Sequence, residues 1–318
     1  MSRDAEAAGK AGAAGGGSAP SADSRGPGVA GASPSPEVIA DYGCICGEGP
    51  TWHPTEKKLY WVDIPRGLLF RYDPATGKHE TVLTTGQIGG CTVQPDGALL
   101  LFMEKGAVKL WKDGELRTVI ESTPGEEKTR FNDVIADPEG RVFCGTIPTE
   151  DHKGSLYRVD TDGKVRKLLE GFGCPNGMGF TPDRTGFYFI DSPTREVMLF
   201  DYDQRTGDIR NRRVFVRIPE SLGVGDGMTV DAKGFVWVAV WGGSCLVRYS
   251  PGGKEDRRIY FAAKLVSSIT FGGADYKDAY VTTAGGDNRK DNGPAAGTLF
   301  RVRPGVKGVP EYLSRIKV

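Results

Sequence analysis

The chain has 318 residues, and its 41 Lys plus Arg balance 41 Asp plus Glu, so the formal net charge is zero. Without an overall electrostatic field, neither a nucleic acid nor a membrane surface is favoured as a partner, and a small molecule is the better candidate. No apolar run approaches the roughly 18 residues that a membrane-spanning helix needs, and the start has no apolar export signal. We therefore expect a cytoplasmic protein.

The first 35 residues differ in composition from the rest of the chain. Gly, Ala, Ser and Pro dominate them, and large apolar side chains are almost absent. Such a segment buries too little apolar surface to offset the entropy lost on ordering. The sequence therefore predicts a disordered tail over residues 1–35 and a folded domain over residues 36–318.

The cysteines do not indicate a disulfide framework. Six of them are scattered through a chain that is long enough to fold around its own core. Cys44 and Cys46 form a close pair, but no second pair of Cys or His follows at a zinc-ligand spacing. Reduced thiols are the simpler interpretation.

From Val38 onward the chain consists of short β-rich runs separated by turn residues, and no long segment has helical periodicity. This pattern predicts an all-β fold. The clearest predicted strands are Lys58–Ile64, Leu99–Met103, Arg141–Ile147, Gly186–Ile190, Phe235–Val240 and Ala279–Thr283.

A turn recurs before these runs at a nearly constant interval. Its landmark residues are Pro54, Pro95, Pro138, Pro182, Ala232 and Ala274, which lie 41, 43, 44, 50 and 42 residues apart. This interval is typical of a four-stranded propeller blade. The sequence therefore predicts a six-bladed β-propeller, in which Glu37–Gly43 adds a strand to the last blade and so closes the ring.

Polar residues recur at one position of this repeat. Six residues before each landmark stand Glu48, Gly89, Asn132, Asn176, Asp226 and Ser268. Because the first strand of every blade lines the central channel, these side chains should converge at one level. Asn and Asp are also common in tight turns, but four carboxylates and amides in one register favour a site. A ring of oxygen donors suits Ca²⁺, Mg²⁺ or Mn²⁺, and Zn²⁺ remains open.

Two further groups should surround this ring. Arg130, Cys46 and Cys174 lie two residues before the ring positions of their units. Arg130 can stabilise an oxyanion or bind a hydroxyl, and we interpret the two cysteines as small packing residues. The long loops of blades three and six also open towards this end of the channel. They carry Glu150 and Asp287–Arg289, which are candidates for substrate contact.

Several motifs together resemble the regucalcin/gluconolactonase family, also called the senescence-marker-protein and luciferin-regenerating-enzyme-like family. They are Gly47-Glu48-Gly49-Pro50, Leu59-Tyr60-Trp61-Val62-Asp63, Arg130-Phe131-Asn132-Asp133, Gly154-Ser155-Leu156-Tyr157-Arg158, Pro175-Asn176-Gly177-Met178 and Asp226-Gly227-Met228. Each motif is weak alone, but their combination and order over residues 38–315 are specific.

This resemblance implies a hydrolase that opens sugar-acid lactones with one divalent cation. It implies Glu48, Asn176 and Asp226 as metal ligands, Asp226 also as the general base, and Arg130, Asn132 and Glu150 as substrate-binding residues. A related esterase or organophosphate hydrolase on the same metal site remains an alternative, as does a non-catalytic calcium-binding propeller, because fold alone does not decide function.

Overall fold

The structure is a computed structural model that describes residues 34–318, which form one compact unit. Of the predicted tail, residues 1–33 lie outside the described residues. The described part contains 24 β-strands and two short 3-10 helices, Ser192–Thr194 and Arg289–Asn292. None of its helices has the length and apolar character needed to cross a membrane. The prediction of an all-β fold is confirmed.

Sixteen strands of the described part form four antiparallel sheets of four strands each, and within a sheet the strands lie in chain order. The first two sheets are β2 (Gly47–His53), β3 (Lys58–Asp63), β4 (Leu68–Asp73) and β5 (Lys78–Thr84), then β6 (Ile88–Val93), β7 (Leu99–Met103), β8 (Val108–Lys112) and β9 (Glu115–Ile120). The next two are β10 (Phe131–Ala136), β11 (Val142–Thr146), β12 (Gly154–Val159) and β13 (Val165–Phe172), then β14 (Pro175–Phe180), β15 (Gly186–Asp191), β16 (Glu196–Asp203) and β17 (Asp208–Arg217).

The other eight described strands form one sheet that falls into two four-stranded groups. One group is β18 (Val224–Val230), β19 (Val236–Trp241), β20 (Cys245–Tyr249) and β21 (Glu255–Tyr260). The other is β22 (Leu265–Gly272), β23 (Asp278–Ala284), β24 (Thr298–Val302) and the N-terminal β1 (Glu37–Asp41). A single pair, Trp241 with Leu265, joins the two groups. Four-stranded units in a propeller-like arrangement are therefore confirmed, whereas the sheets themselves number five in residues 34–318.

The first strands of these units surround the molecular axis. β2 contacts β6, and the contacts continue through β10, β14, β18 and β22 back to β2. The core lies between neighbouring units: Tyr60 and Val62 of β3, for example, pack in one cluster with Leu99 and Leu101 of β7. The first strands are therefore buried on both faces, while fourth strands such as β5 and β17 are largely exposed.

The N-terminal strand completes the last unit, as the sequence predicts. β1 pairs antiparallel with β24, and Glu37 forms an ion pair with Arg301 at 2.7 Å. Ala40 of β1 is buried against the core of the first unit. Both ends of the described chain thus contribute to one sheet, which leaves β24 without an open edge.

A chain that starts at Cys44 is expected to melt about 5 °C or more below a chain that starts at Ser35. The shorter chain lacks β1, so it loses the pairing with β24 and the burial of Ala40. Thermal unfolding of the two truncated proteins checks this, and the longer one is the matched control. Equal melting temperatures would show that β1 does not close the ring.

The C-terminal segment, residues 303–318, crosses one end of the channel. This is the end at which the first strands of the units finish. The backbone N–H of Gly308 donates to Tyr276, that of Ser314 to Val93 and that of Arg315 to Gly140. The side chain of Gln94 bonds both the carbonyl and the N–H of Ile316, at 2.8 and 3.2 Å. Because these partners belong to separate units, the segment ties the units together and covers the channel.

Candidate metal centre and active site

Four polar side chains predicted to form the ring lie buried in first strands of neighbouring units. Glu48, Asn132, Asn176 and Asp226 are only 4, 7, 5 and 6% exposed. They belong to β2, β10, β14 and β18, which follow one another around the axis apart from the intervening β6 and β22. The structure thus places these four residues on the wall of one channel.

A local irregularity occurs in every first strand at this level. Relative to its neighbour, each first strand has one extra residue, and these breaks in register lie between Glu48 and Thr51, Ile88 and Gly90, Phe131 and Val134, Pro175 and Met178, Gly225 and Met228, and Val266 and Ser268. A β-bulge bends the strand and redirects a side chain that regular pairing would place elsewhere. The repeated bulge accounts for polar side chains at the ring level of otherwise apolar strands.

The sixth ring position is Ser267, so the sequence-based choice of Ser268 is wrong by one residue. The bulge of β22 leaves Ser267 unpaired, and its hydroxyl donates to the carbonyl oxygen of Gly47 at 2.5 Å. Asn132 makes the corresponding contact to the carbonyl of Pro175 at 2.9 Å. In both cases the acceptor is the residue that precedes the next ring residue.

Gly89 leaves the ring position of β6 without a side chain. A Cβ atom there would overlap the carbonyl oxygen of Phe131 and lie 2.8 Å from that of Asn132. The absence of a side chain therefore lets β6 and β10 approach closely at the ring.

Gly89→Ala is expected to destabilise the protein by about 2 kcal/mol or more, because the new methyl group must displace backbone next to Asn132. Gly252→Ala is the matched control, since the added Cβ would find only the Ser250 hydroxyl, 3.9 Å away. The control should change the free energy of unfolding by less than about 0.5 kcal/mol. Denaturant titration of both variants measures the difference, and equal stabilities would contradict the close approach.

The amide of Asn176 is oriented by a neighbouring hydroxyl. Its Nδ2 donates to Ser192 Oγ at 3.0 Å, and Ser192 donates in turn to the carbonyl of Gly225 at 2.6 Å. These two hydrogen bonds leave Asn176 Oδ1 buried and without a hydrogen-bond partner among residues 34–318. A buried acceptor without a partner is costly, so this oxygen is suited to a ligand in the channel.

Two buried carboxylates that the sequence analysis did not single out bind the backbone just before two of the ring residues. Asp63 accepts the backbone N–H groups of Ile45 and Cys46 at 3.1 and 3.0 Å, just before Glu48. Asp191 likewise accepts the N–H groups of Gly173 and Cys174 before Asn176. Each carboxylate is the last residue of the second strand of its unit. This shared position is the sequence signal that could have identified the two residues.

Arg130 contacts the ring residue Asn132, and its hydrogen bonds distinguish Asn132 from Asn176. Arg130 Nη1 donates to Asn132 Oδ1 at 2.7 Å and to the carbonyl of Phe131 at 2.9 Å. Since Asn132 Nδ2 is bonded to Pro175, both ends of this amide already have protein partners. Asn132 is therefore held in one orientation, whereas the side-chain oxygen of Asn176 has no partner among the described residues.

The two ring carboxylates have strongly perturbed acidities. Burial, followed by the charges of Asp226 and Asp133, raises the pKa of Glu48 well above its usual range. Burial and then Asp133 similarly raise the pKa of Asp226, while hydrogen bonding to Asn176 and the charge of Arg130 oppose the shift. Buried carboxylates whose charges are not balanced favour a cation or protons between them.

Asp133 is a third carboxylate that the sequence analysis did not single out as a site residue. Burial raises its pKa to about 7, and Arg130 opposes that shift. The corresponding residue is glycine in four other first strands, namely Gly49, Gly90, Gly177 and Gly227. A charged residue where its counterparts are glycine was the signal that could have identified it.

Cys46 and Cys174 come directly before β2 and β14, so they lie on the other side of the ring from Asp133. Burial raises the pKa of both thiols, that of Cys174 to about 12, with Asp226 among the charges that contribute. Neutral thiols are poor nucleophiles, which supports their interpretation as packing residues.

The structure does not bring the predicted loop residues into the ring. Glu150 is exposed in the turn between β11 and β12. The pKa of Lys128 is raised mainly by its hydrogen bond to Asp151 and least by the charge of Glu150. Arg289 donates to Asp41 near the N-terminal strand at 2.7 Å. Glu150 could reach a substrate only from the surface of the channel mouth.

The donors of the ring are oxygen atoms of carboxylates and amides. Within residues 34–318 no three His, Cys, Asp or Glu side chains are grouped closely enough to form a metal cluster by themselves. The free Oδ1 of Asn176 completes the donor set beside Glu48 and Asp226. These residues therefore fit a hard divalent cation better than a soft one.

The fold and the site together define a β-propeller with carboxylates, amides and one arginine at its axis. Residues 46–285 match the family model described as "SMP-30/Gluconolactonase/LRE-like region". The chain belongs to this family, and the resemblance inferred from the motifs is confirmed.

Curated relatives cover most of the chain. It is 47% identical over 287 residues to the pentonolactonase XacC of Haloferax volcanii, across 88% of this chain and 98% of that protein. It is 32% identical to human regucalcin over 290 residues, across 87% and 97% of the two chains.

A solved structure agrees with the fold. The structure described as a calcium-binding protein, regucalcin, from Agrobacterium tumefaciens has a TM-score of 0.81 at 29% identity, covering 90% of this chain and 98% of that one.

Proposed function

We propose that this protein hydrolyses lactones of sugar acids with one divalent cation held by Glu48, Asn176 and Asp226. The enzyme class itself is confirmed by the named relatives: the chain is a lactonase. The observation that carries the metal proposal is the buried, unpartnered Oδ1 of Asn176 beside two carboxylates of raised pKa. Ca²⁺, Mg²⁺, Mn²⁺ and Zn²⁺ are all compatible with this donor set.

A divalent cation in this ring would polarise the lactone carbonyl and lower the pKa of the attacking water. Asp226 accepts the proton of that water as general base. Its position in the ring supports this role, because a base must lie within reach of the water whose proton it takes. The ring oxygen of the lactone leaves with a proton, and a hydroxy acid is released.

Arg130 and Asn132 bind and orient the substrate. Arg130 is partly exposed and lies two residues before the ring residue of β10, so its guanidinium can reach a lactone that enters from that end of the channel. It can also stabilise the developing oxyanion. Asn132 is held by Arg130 and Pro175, which gives its amide a defined direction. Glu150 contacts polar substituents of the substrate from the mouth of the channel.

The ring geometry is that of a six-bladed propeller. In this proposal the eight-stranded sheet counts as two blades, which the single pair of Trp241 and Leu265 connects. Each blade then supplies one position of the ring, with Gly89 and Ser267 as the two positions that lack a carboxylate or amide.

Hydrolysis of a substrate panel tests the function. Xylonolactone, arabinonolactone and gluconolactone are followed with a pH indicator, because each turnover releases a proton, beside an aryl ester and an organophosphate. We expect the sugar lactones to have the highest kcat/KM, with five-carbon lactones first because of the similarity to a pentonolactonase. Preference for the aryl ester or the organophosphate would contradict the proposal, and no turnover at all would favour a non-catalytic cation-binding propeller.

A further inference from the structure

A second chamber lies in the channel beyond the ring. It has a volume of about 70 Å³ and is lined by residues that follow the ring positions in the first strands, among them Asp133, Ser268 and Thr270. Arg130, Cys46 and Cys174 precede the ring positions and lie towards the other end. Glu311, Tyr312 and Leu313 of the C-terminal segment form the far wall of the chamber.

The chamber is acidic. Asp133 and Glu311 line it, and no Lys, Arg or His of the described residues does. Burial raises the pKa of Glu311 to about 7, and only a hydrogen bond from Thr229 opposes this shift. Two carboxylates that line one small chamber favour a compensating positive charge if both are to be ionised.

An unpartnered hydroxyl lines the same chamber. Thr270 is 2% exposed, and its Oγ1 has no hydrogen-bond partner in the part of the chain that the structure describes. Buried hydroxyls are normally bonded, so this oxygen indicates a ligand or water that belongs there. Ser268 lies two residues earlier in β22, on the same face of the strand. Apart from Cys91 and Trp52, the polar side chains that line the chamber carry oxygen donors, which suit a hard cation.

We propose that this chamber holds a hydrated monovalent cation of the Na⁺ or K⁺ class between the carboxylates of Asp133 and Glu311, with the Thr270 hydroxyl as a further donor. A volume of about 70 Å³ admits such an ion with one or two waters. The site is separate from the ring, because its residues follow the bulges and one carboxylate comes from the C-terminal segment.

Charge balance favours a monovalent ion over a second divalent one. Four carboxylates, those of Glu48, Asp226, Asp133 and Glu311, face the channel together with one guanidinium, that of Arg130. This step rests on the proposed divalent cation in the ring, which would leave one negative charge uncompensated. A monovalent cation cancels that charge, whereas a second divalent cation would leave a positive one.

A cation at this position would fasten the C-terminal segment to the propeller. Glu311 lies three residues before Ser314, whose hydroxyl is bonded to Thr92 at 2.8 Å. The ion would add an ionic link from Glu311 to Asp133 of β10. Stability should therefore depend on which monovalent cation the buffer contains and not only on ionic strength.

Anomalous diffraction tests the site without any substitution. Crystals of the full chain grown with MnCl₂ and RbCl should show a rubidium peak between Asp133 and Glu311 and a separate manganese peak at Glu48, Asn176 and Asp226. A chamber without a rubidium peak, or one that contains manganese, overturns this inference. A missing manganese peak at the ring counts against the proposed metal centre alone, so the two failures are distinguishable.

Thermal unfolding of the metal-loaded protein gives a second test. In KCl the melting temperature should be about 3 °C higher than in tetramethylammonium chloride of equal ionic strength, if K⁺ is present at ten times its dissociation constant. Glu311→Gln should abolish this difference, while the exposed control Glu115→Gln should keep it. Equal melting temperatures of the wild type in the two salts, or an unchanged difference in Glu311→Gln, overturns the proposal.

Discussion

Asp226→Asn is expected to lower kcat on the best lactone about 10²–10⁴-fold at saturating metal, the usual effect of losing a general base. Asn keeps the shape of the side chain and one carbonyl oxygen, so a weakened metal site should still fill when the metal concentration is raised. The variant should therefore still bind metal but lose most of its turnover. The measurement is kcat across a metal titration, with metal occupancy determined independently on the same samples.

Glu150→Gln is the comparison for this experiment. Glu150 is exposed outside the ring, so its loss should affect KM more than kcat. Turnover of Asp226→Asn close to the wild-type value at full occupancy would mean that Asp226 is only a ligand. A collapse of kcat in Glu150→Gln would then identify Glu150 as the base.

Glu48→Gln should weaken metal binding and largely preserve kcat, which is the reverse of the effect expected for Asp226→Asn. The substitution removes one of the two anionic ligands, and we expect the dissociation constant of the divalent cation to rise about 10²-fold or more. At saturating metal, kcat should recover to within about tenfold of the wild type, because the general base is intact. Competition with a chromogenic chelator measures the affinity.

The exposed Glu115→Gln variant controls for the loss of one carboxylate anywhere on the protein, and its metal affinity should not change. An unchanged affinity in Glu48→Gln would remove Glu48 from the metal centre. Since its Oε2 accepts the N–H of Gly49 at 2.9 Å, Glu48 would then have a structural role in β2.

The regular part of the fold was predictable because each turn and strand carries a local signal. Gly97 and Gly140 adopt positive φ angles of 83° and 87° in the turns that served as landmarks. The strand predicted at Leu99–Met103 agrees with β7 to the residue, and Glu37–Gly43 does contain the strand that pairs with β24. Counting back from the landmarks reaches Asn132 and Asn176 because five of the six first strands have the same length between bulge and turn, and only β22 differs.

The remaining features depend on partners that are distant in sequence. Ser267 replaces Ser268 because the position of a bulge is set by pairing with β23. Asn132 and Asn176 differ in their hydrogen bonds because Arg130 donates to the first and Ser192 accepts from the second. The spacing of residues in the repeat does not predict these partners. The acidic chamber needs Glu311, which reaches the channel only because the C-terminal segment folds across it.

The most direct test removes the divalent cation and returns it. The protein is treated exhaustively with a chelator, its metal content is measured, and hydrolysis of a pentonolactone is followed before and after one equivalent of Ca²⁺, Mg²⁺, Mn²⁺ or Zn²⁺ is added. Burial and neighbouring carboxylates raise the pKa of both ring carboxylates, and Asn176 Oδ1 has no hydrogen-bond partner within residues 34–318, so activity should disappear with the metal and return as the ring refills. Full activity in protein shown to be free of metal would contradict the proposed mechanism.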